Sequence, residues 1–187
     1  NTNCDDVMNA LALGSKRILA ESYWSGGMGD GGGCHPRDNI ALSWLSRELD
    51  LSHDWFDNIM KQREKQTEWL ADLIEEHSNG LPINILGKSF KPETNITTGS
   101  PSVLLKNILE ERGHPVFIWD PYIDEPWKEI KKMYDDSETE SQLYFIGTKH
   151  PDFTSFPYEK GSVIIDPWRY IPEQDSCEVI HVGDSLN

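Results

Sequence analysis

"INILGKSFKPETNITTGSPSVLLKNILEERGHPVFIWDP", residues 83–121, carries three structural elements in one uninterrupted run. Its first part, "INILGKSF", is a short apolar stretch that reads as a buried strand. Ser100 then stands where a helix cap is needed, Pro101 occupies the first helical position, and Gly113 follows the last turn, so 101–112 reads as a helix. "PVFIWDP" is the next strand. A strand, a helix and a second strand in this order predict a βαβ unit and a parallel sheet.

The same grammar continues downstream. "EPWKEIKKMYDD" reads as a second helix, and "QLYFIGT", "SVIIDP" and "EVIHVG" as three further strands. Five strands separated by helices or loops place ligands at the strand C-termini. Upstream of residue 82 the pattern is helical throughout. Val7, Leu11, Leu13, Ile18 and Leu19 suit one or two short helices with Thr2 or Asn3 as cap, and Asp38 is placed to cap a helix through Ile40, Leu42, Leu45 and Leu49. "LSHD" starts a longer helix through Trp55, Ile59, Trp69, Leu70, Leu73 and Ile74, which Asn79, Gly80 and Pro82 stop. The predicted architecture is α/β: a helical segment over 1–80, followed by a Rossmann-like α/β domain with a mostly parallel sheet over 81–187.

The chain has 187 residues, with 32 acidic against 17 basic side chains and a net charge of −15. Such a field argues against nucleic acid or an anionic membrane as partner. No apolar run approaches the roughly 20 residues of a membrane span, and no signal-peptide pattern opens the chain. A cytoplasmic location is the expectation. Cys4, Cys34 and Cys177 are too few and too scattered for a disulfide framework and form no zinc pattern. The chain opens without methionine, as a piece of a longer protein would.

Residues 26–45, "GGMGDGGGCHPRDNIALSWL", concentrate glycines immediately before a single thiol. Gly27, Gly29 and Gly32 satisfy the letters of a dinucleotide fingerprint, but no convincing strand precedes them and no acidic residue stands at the ribose position. A flexible linker is one reading. The other is that glycines let the backbone approach a ligand and leave space beside Cys34, whose thiolate a helix N-terminus and Arg37 would favour. Asp38 is then either a helix cap or a base that orients water.

"YWSGGMGDGGGCHPRD" resembles the nucleophile segment of the UDP-glucose/GDP-mannose dehydrogenase family, and "ILGKSFKPETNITTGSPSVLLKNILEERGHPVFIWDPYI" resembles its C-terminal Phe-Lys-Pro segment with the following helix and strand. "FIGTKHPDF" and "VIIDPWRYI" are similar to later landmarks of that family. The resemblance implies oxidation of the C6 alcohol of a UDP- or GDP-sugar to a uronic acid in two NAD-dependent steps, through a cysteine thiohemiacetal and thioester. It casts Cys34 as the nucleophile and Asp38 as the residue that helps activate water. Tyr23, Gly29, Gly31 and Gly32 correspond to the loop around the sugar, Phe90 and Lys91 to the segment holding the diphosphate, and Arg37 to a basic position toward the cofactor. NAD itself is expected mainly on a preceding domain that this chain lacks, no metal is expected, and the product would feed polysaccharide synthesis. A homodimer through the helical region is implied.

The chain also departs from the family pattern. Thr98 and Gly99 stand at an Arg-Glu position, Asp30 at an aromatic one, and Arg169 lies in a stretch one residue longer, from which it could supply positive charge. The lysine and asparagine of the family's long central helix are absent. A nucleotide-sugar binding module without catalysis, or a Rossmann-like interaction domain, would share the fold.

Overall fold

A computed structural model describes residues 2–14, 25–29, 31–129 and 141–184. β1 (Ile83–Leu86), β2 (Val116–Trp119), β3 (Leu143–Ile146), β4 (Val163–Asp166) and β5 (Glu178–His181) form one five-stranded sheet in the order β2-β1-β3-β4-β5. Every pairing is parallel. This is a doubly wound order in which the chain reverses direction across the sheet between β1 and β3, and ligands of such sheets bind outside that switch point.

Period-two alternation divides the strand residues between two cores. Ile83, Ile85, Leu143, Phe145, Val163 and Ile165 face one side, where Leu70, Ala71 and Ile74 of α3 (Trp55–Ser78) and Leu105 and Leu109 of α4 (Pro101–Glu111) cover them. Leu86, Tyr144, Ile146 and Ile164 face the other, against Trp119, Phe153 and Ile171. Each fully buried Leu or Ile contributes about 1.5–3 kcal/mol, so α3 is as much a part of the sheet's core as α4.

The helix ends follow their capping chemistry. Ser100 Oγ accepts from the Ser102 amide, with Pro101 beginning α4. Asp54 accepts from the Asp57 amide at 3.0 Å to start α3, and Asn79 ends it in the left-handed region at φ 46°. Asn3 caps α1 (Cys4–Ala12), which is joined to the far end of the sheet by the Cys4 amide on the Gly183 carbonyl at 2.8 Å.

One boundary differs from expectation. α2 (Cys34–Glu48) starts at Cys34 with Gly33 as its cap residue, so Asp38 lies inside the helix and caps nothing. Pro36 permits this, because its missing N–H falls among the first-turn donors that have no intrahelical acceptor. Of the helix expected over 125–136, residues 127–129 are helical and 125–126 precede it; the part from 130 on, like the segment 15–20, lies outside the described residues. No helix among the described residues is long and apolar enough to cross a membrane.

Candidate functional site

The loop after β1 carries Phe90 and Lys91, and its backbone is held from two strand ends. Asp120, just past β2, accepts the amides of Lys88 at 2.8 Å and Ser89 at 2.9 Å on Oδ2. Thr148, past β3, donates its hydroxyl to the Ser89 carbonyl at 2.6 Å. The loop also closes on itself through the Phe90 amide and the Ile96 carbonyl at 3.0 Å, and Arg63 of α3 donates to the Gly99 carbonyl at 3.0 Å. It stands at the switch point between β1 and β3, where the topology calls for a ligand.

The Lys91 ammonium lies 5.5 Å from the Phe90 ring centroid, on an exposed residue. No ion-pair partner for it is found among the described residues. Lys88 is different: its ammonium is bound by Asp124 at 2.5 Å. A cation next to an aromatic face, on a loop otherwise fixed by backbone bonds, is a ready contact for a phosphate oxygen.

The glycine-rich segment is docked rather than free. Arg169 donates to the Gly26 carbonyl at 3.2 Å, a side chain on Gly27 would overlap the Trp168 ring, and Met28 is buried in the core under α3. A Cβ on Gly29 would stand 3.2 Å from Gln66 Oε1. Gly31 and Gly32 lie on Phe90, with an added Cβ 3.1 Å from the Phe90 Cβ in the first case and 3.0 Å from its ring in the second. The glycines thus let one chain segment lie in backbone contact with the strand-end loops.

Cys34 follows two residues after Gly32, as the first residue of α2, with its thiol exposed. Arg37 Nε donates to Asp38 Oδ1 at 2.9 Å, and both side chains are well exposed. The hydrogen bond it donates to Asp38, and secondarily the nearby Cys34, push the Arg37 guanidinium above its ordinary value. The structure therefore brings Gly31, Gly32, Phe90 and Lys91 together and sets Cys34, Arg37 and Asp38 one short step along the chain. Tyr23 and Asp30 lie outside the described residues.

Arg169 corrects an expectation. Its guanidinium binds both Asp5 oxygens at 2.8 and 2.9 Å and the carbonyls of Pro167, Val182 and Gly26, and only 6% of the side chain is exposed. Its charge is consumed in joining α1 to β5 and the glycine segment, so it is not offered to an anion. Sequence reasoning missed the buried His150, which contacts Asp120 at 3.1 Å. The signal was there in two polar residues ending the strands on either side of β1, Asp120 after β2 and His150 after β3.

Trp168 lies against Gly27, and Phe90 against Gly31 and Gly32. Among the described residues, no group of three or more His, Cys, Asp or Glu side chains is placed to hold a metal ion.

Residues 84–173 match the profile of the UDP binding domain of the UDP-glucose/GDP-mannose dehydrogenase family. The GDP-mannose 6-dehydrogenase of Pseudomonas aeruginosa is 30% identical over 119 residues, which is 64% of this chain and 27% of that protein. The UDP-glucose 6-dehydrogenase AglM of Haloferax volcanii is 27% identical over 185 residues, 92% of this chain and 43% of that one. A solved UDP-glucose dehydrogenase from Pyrobaculum islandicum superposes with a TM-score of 0.74 at 25% identity, over 96% of this chain and 43% of the other. The chain spans less than half the length of each of these relatives. Sequence profile and strand order converge, and residues 84–173 of this chain match the UDP binding domain of the UDP-glucose/GDP-mannose dehydrogenase family.

Proposed function

We propose that this chain is the C-terminal portion of an NAD-dependent nucleotide-sugar 6-dehydrogenase, with 1–80 as the helical, dimer-forming part and 81–187 as the nucleotide-holding part. The observation that carries the reading is the Phe90 and Lys91 loop at the switch point, with the glycine segment docked on it and Cys34 at the end of that segment. Lys91 would hold the diphosphate. The sugar would then lie along the glycine segment toward Cys34, whose thiolate attacks an aldehyde carbon to give a thiohemiacetal. Asp38, kept in place by Arg37, would orient the water that later cleaves the thioester. NAD supplies hydride acceptance when bound. Arg37, exposed on the first turns of α2, would be a basic contact toward it.

Calorimetric titration with UDP, GDP, UDP-glucose and GDP-mannose at low salt tests the reading. One nucleotide is expected to bind saturably, and Lys91→Ala to weaken it roughly 10- to 100-fold, the effect of removing one charge-assisted contact. Equal affinity in wild type and variant would remove Lys91 from the site.

The helical part supports a homodimer. α2 buries only Ser43 and Ser46, while Ile40, Trp44, Leu45 and Leu49 are exposed, and α3 adds Trp55 and Trp69. Trp44 is 57% and Trp55 65% exposed, and large apolar side chains exposed together on a packed helix pair are what an interface between chains uses. Sedimentation is expected to show a dimer that Leu45→Glu with Trp55→Glu converts to monomer. A monomeric wild type would argue against this face as an interface between copies.

A further inference from the structure

The β1 loop rests on two side chains, Asp120 and His150, neither of which exposes any side-chain surface. His150 makes three polar contacts: Nε2 lies 3.1 Å from Asp120 Oδ2 and 3.1 Å from Ser89 Oγ, and Nδ1 lies 3.3 Å from the Glu93 amide. A backbone N–H can only donate, so Nδ1 is the bare nitrogen and the ring proton sits on Nε2, pointing at the carboxylate. The Ser89 hydroxyl donates onward to the Lys91 carbonyl at 3.0 Å. Tyr122 stacks on the imidazole at 4.8 Å and Phe153 meets it edge-on at 5.5 Å, which fixes the ring plane.

The two residues that His150 grips, Ser89 and Glu93, flank Phe90 and Lys91. Glu93 has φ 55°, a left-handed conformation that a side-chain-bearing residue adopts only at a cost, and its amide is the one bound to the imidazole. We infer that His150 is a positioning residue for the nucleotide: acting through Ser89, Glu93 and Asp120, it holds the run 88–93 so that Phe90 meets the glycine segment and Lys91 is presented to the diphosphate. The inference rests on the reading of Lys91 as the diphosphate contact. Holding the loop before the ligand arrives removes an ordering cost from binding.

Two variants of the full 187-residue chain separate the ring's hydrogen bonds from its bulk. His150→Phe keeps an aromatic ring to stack on Tyr122 but has neither polar atom. His150→Gln keeps one donor and one acceptor without the ring. Amide hydrogen exchange needs no ligand, and it is expected to quicken about tenfold over 88–93 in His150→Phe, with the β1 and β3 amides unchanged and with partial recovery in His150→Gln. Affinity for UDP or GDP, whichever the wild type binds, is expected to fall about tenfold in His150→Phe and to recover in His150→Gln. Exchange in His150→Phe equal to wild type, or raised uniformly across the sheet, would show that the ring only packs and would overturn the inference. So would quickened exchange with unchanged nucleotide affinity. A wild type that binds neither nucleotide sinks the reading of the site, while the exchange data still decide whether His150 orders the loop.

Discussion

Asp120→Ala is expected to destabilise the chain by about 3–5 kcal/mol, the range for removing one partner from a buried, charged hydrogen-bond cluster. The carboxylate has no exposed surface. Oδ2 accepts from the Lys88 amide, the Ser89 amide and His150, and Oδ1 accepts from the Tyr122 amide at 2.9 Å. Truncation leaves three backbone donors and an imidazole facing a cavity, and each buried, unpaired donor costs roughly 1–3 kcal/mol, though not additively. Urea denaturation of wild type and variant measures the difference. A loss below about 1 kcal/mol would mean that water enters and replaces the carboxylate.

The same carboxylate gives a pH dependence. Burial pushes its pKa up, but the hydrogen bond from His150 and the amides of Ser89, Tyr122 and Lys88 outweigh that and hold it well below the usual aspartate range. A depressed pKa contributes stability that is fully present above the unfolded value of about 4 and is lost as pH falls below it. Asp5, lowered chiefly by its bond from Arg169, and Asp54, lowered chiefly by the Ser43 hydroxyl, titrate in the same direction. The wild-type acid slope therefore sums several groups. The difference between wild type and Asp120→Asn isolates this one, and it is expected to shrink steadily as pH falls below 4.

The strands and α4 were legible because their signals are local. Ile83 to Leu86 and Leu143 to Ile146 are short apolar runs bounded by glycine, and Ser100, Pro101 and Gly113 frame one helix. The start of α2 was not, since Asp38 is as good a cap as any by type; only the structure shows that Gly33 takes that place. The glycines were legible as a special segment but not in their physical purpose. Whether a glycine gives freedom or allows contact depends on what lies against it, and Trp168 and Phe90 are distant in sequence. Arg169 and His150 failed for the same reason. A buried Arg or His is defined by partners on other elements, here Asp5 on α1 and Asp120 after β2, and single-sequence periodicity carries no information about those pairings.

Gly99→Ala tests the reverse of that lesson, a contact that no local pattern announces. Gly99 has φ 69°, and a Cβ there would overlap the carbonyl of Gly32, itself at φ 86° under the Phe90 ring. The left-handed conformation costs alanine about 1–2 kcal/mol. The overlap is with backbone, which cannot rotate away as a side-chain tip would, and overpacking of this kind adds about 1–3 kcal/mol. The chain can avoid the second cost only by lifting the glycine segment off the β1 loop. The expected result is a loss of about 2–5 kcal/mol in urea denaturation, with faster amide exchange at 31–33 and unchanged exchange in β1 and β3. A variant as stable as wild type would show that the two loops are not in contact. The side-chain-bearing residue of the family pattern at position 99 does not fit this packing, so the glycine there goes together with the close approach of Gly32. Because Cys34 follows Gly32 by two positions and opens α2, this backbone contact anchors the start of that helix on the β1 loop.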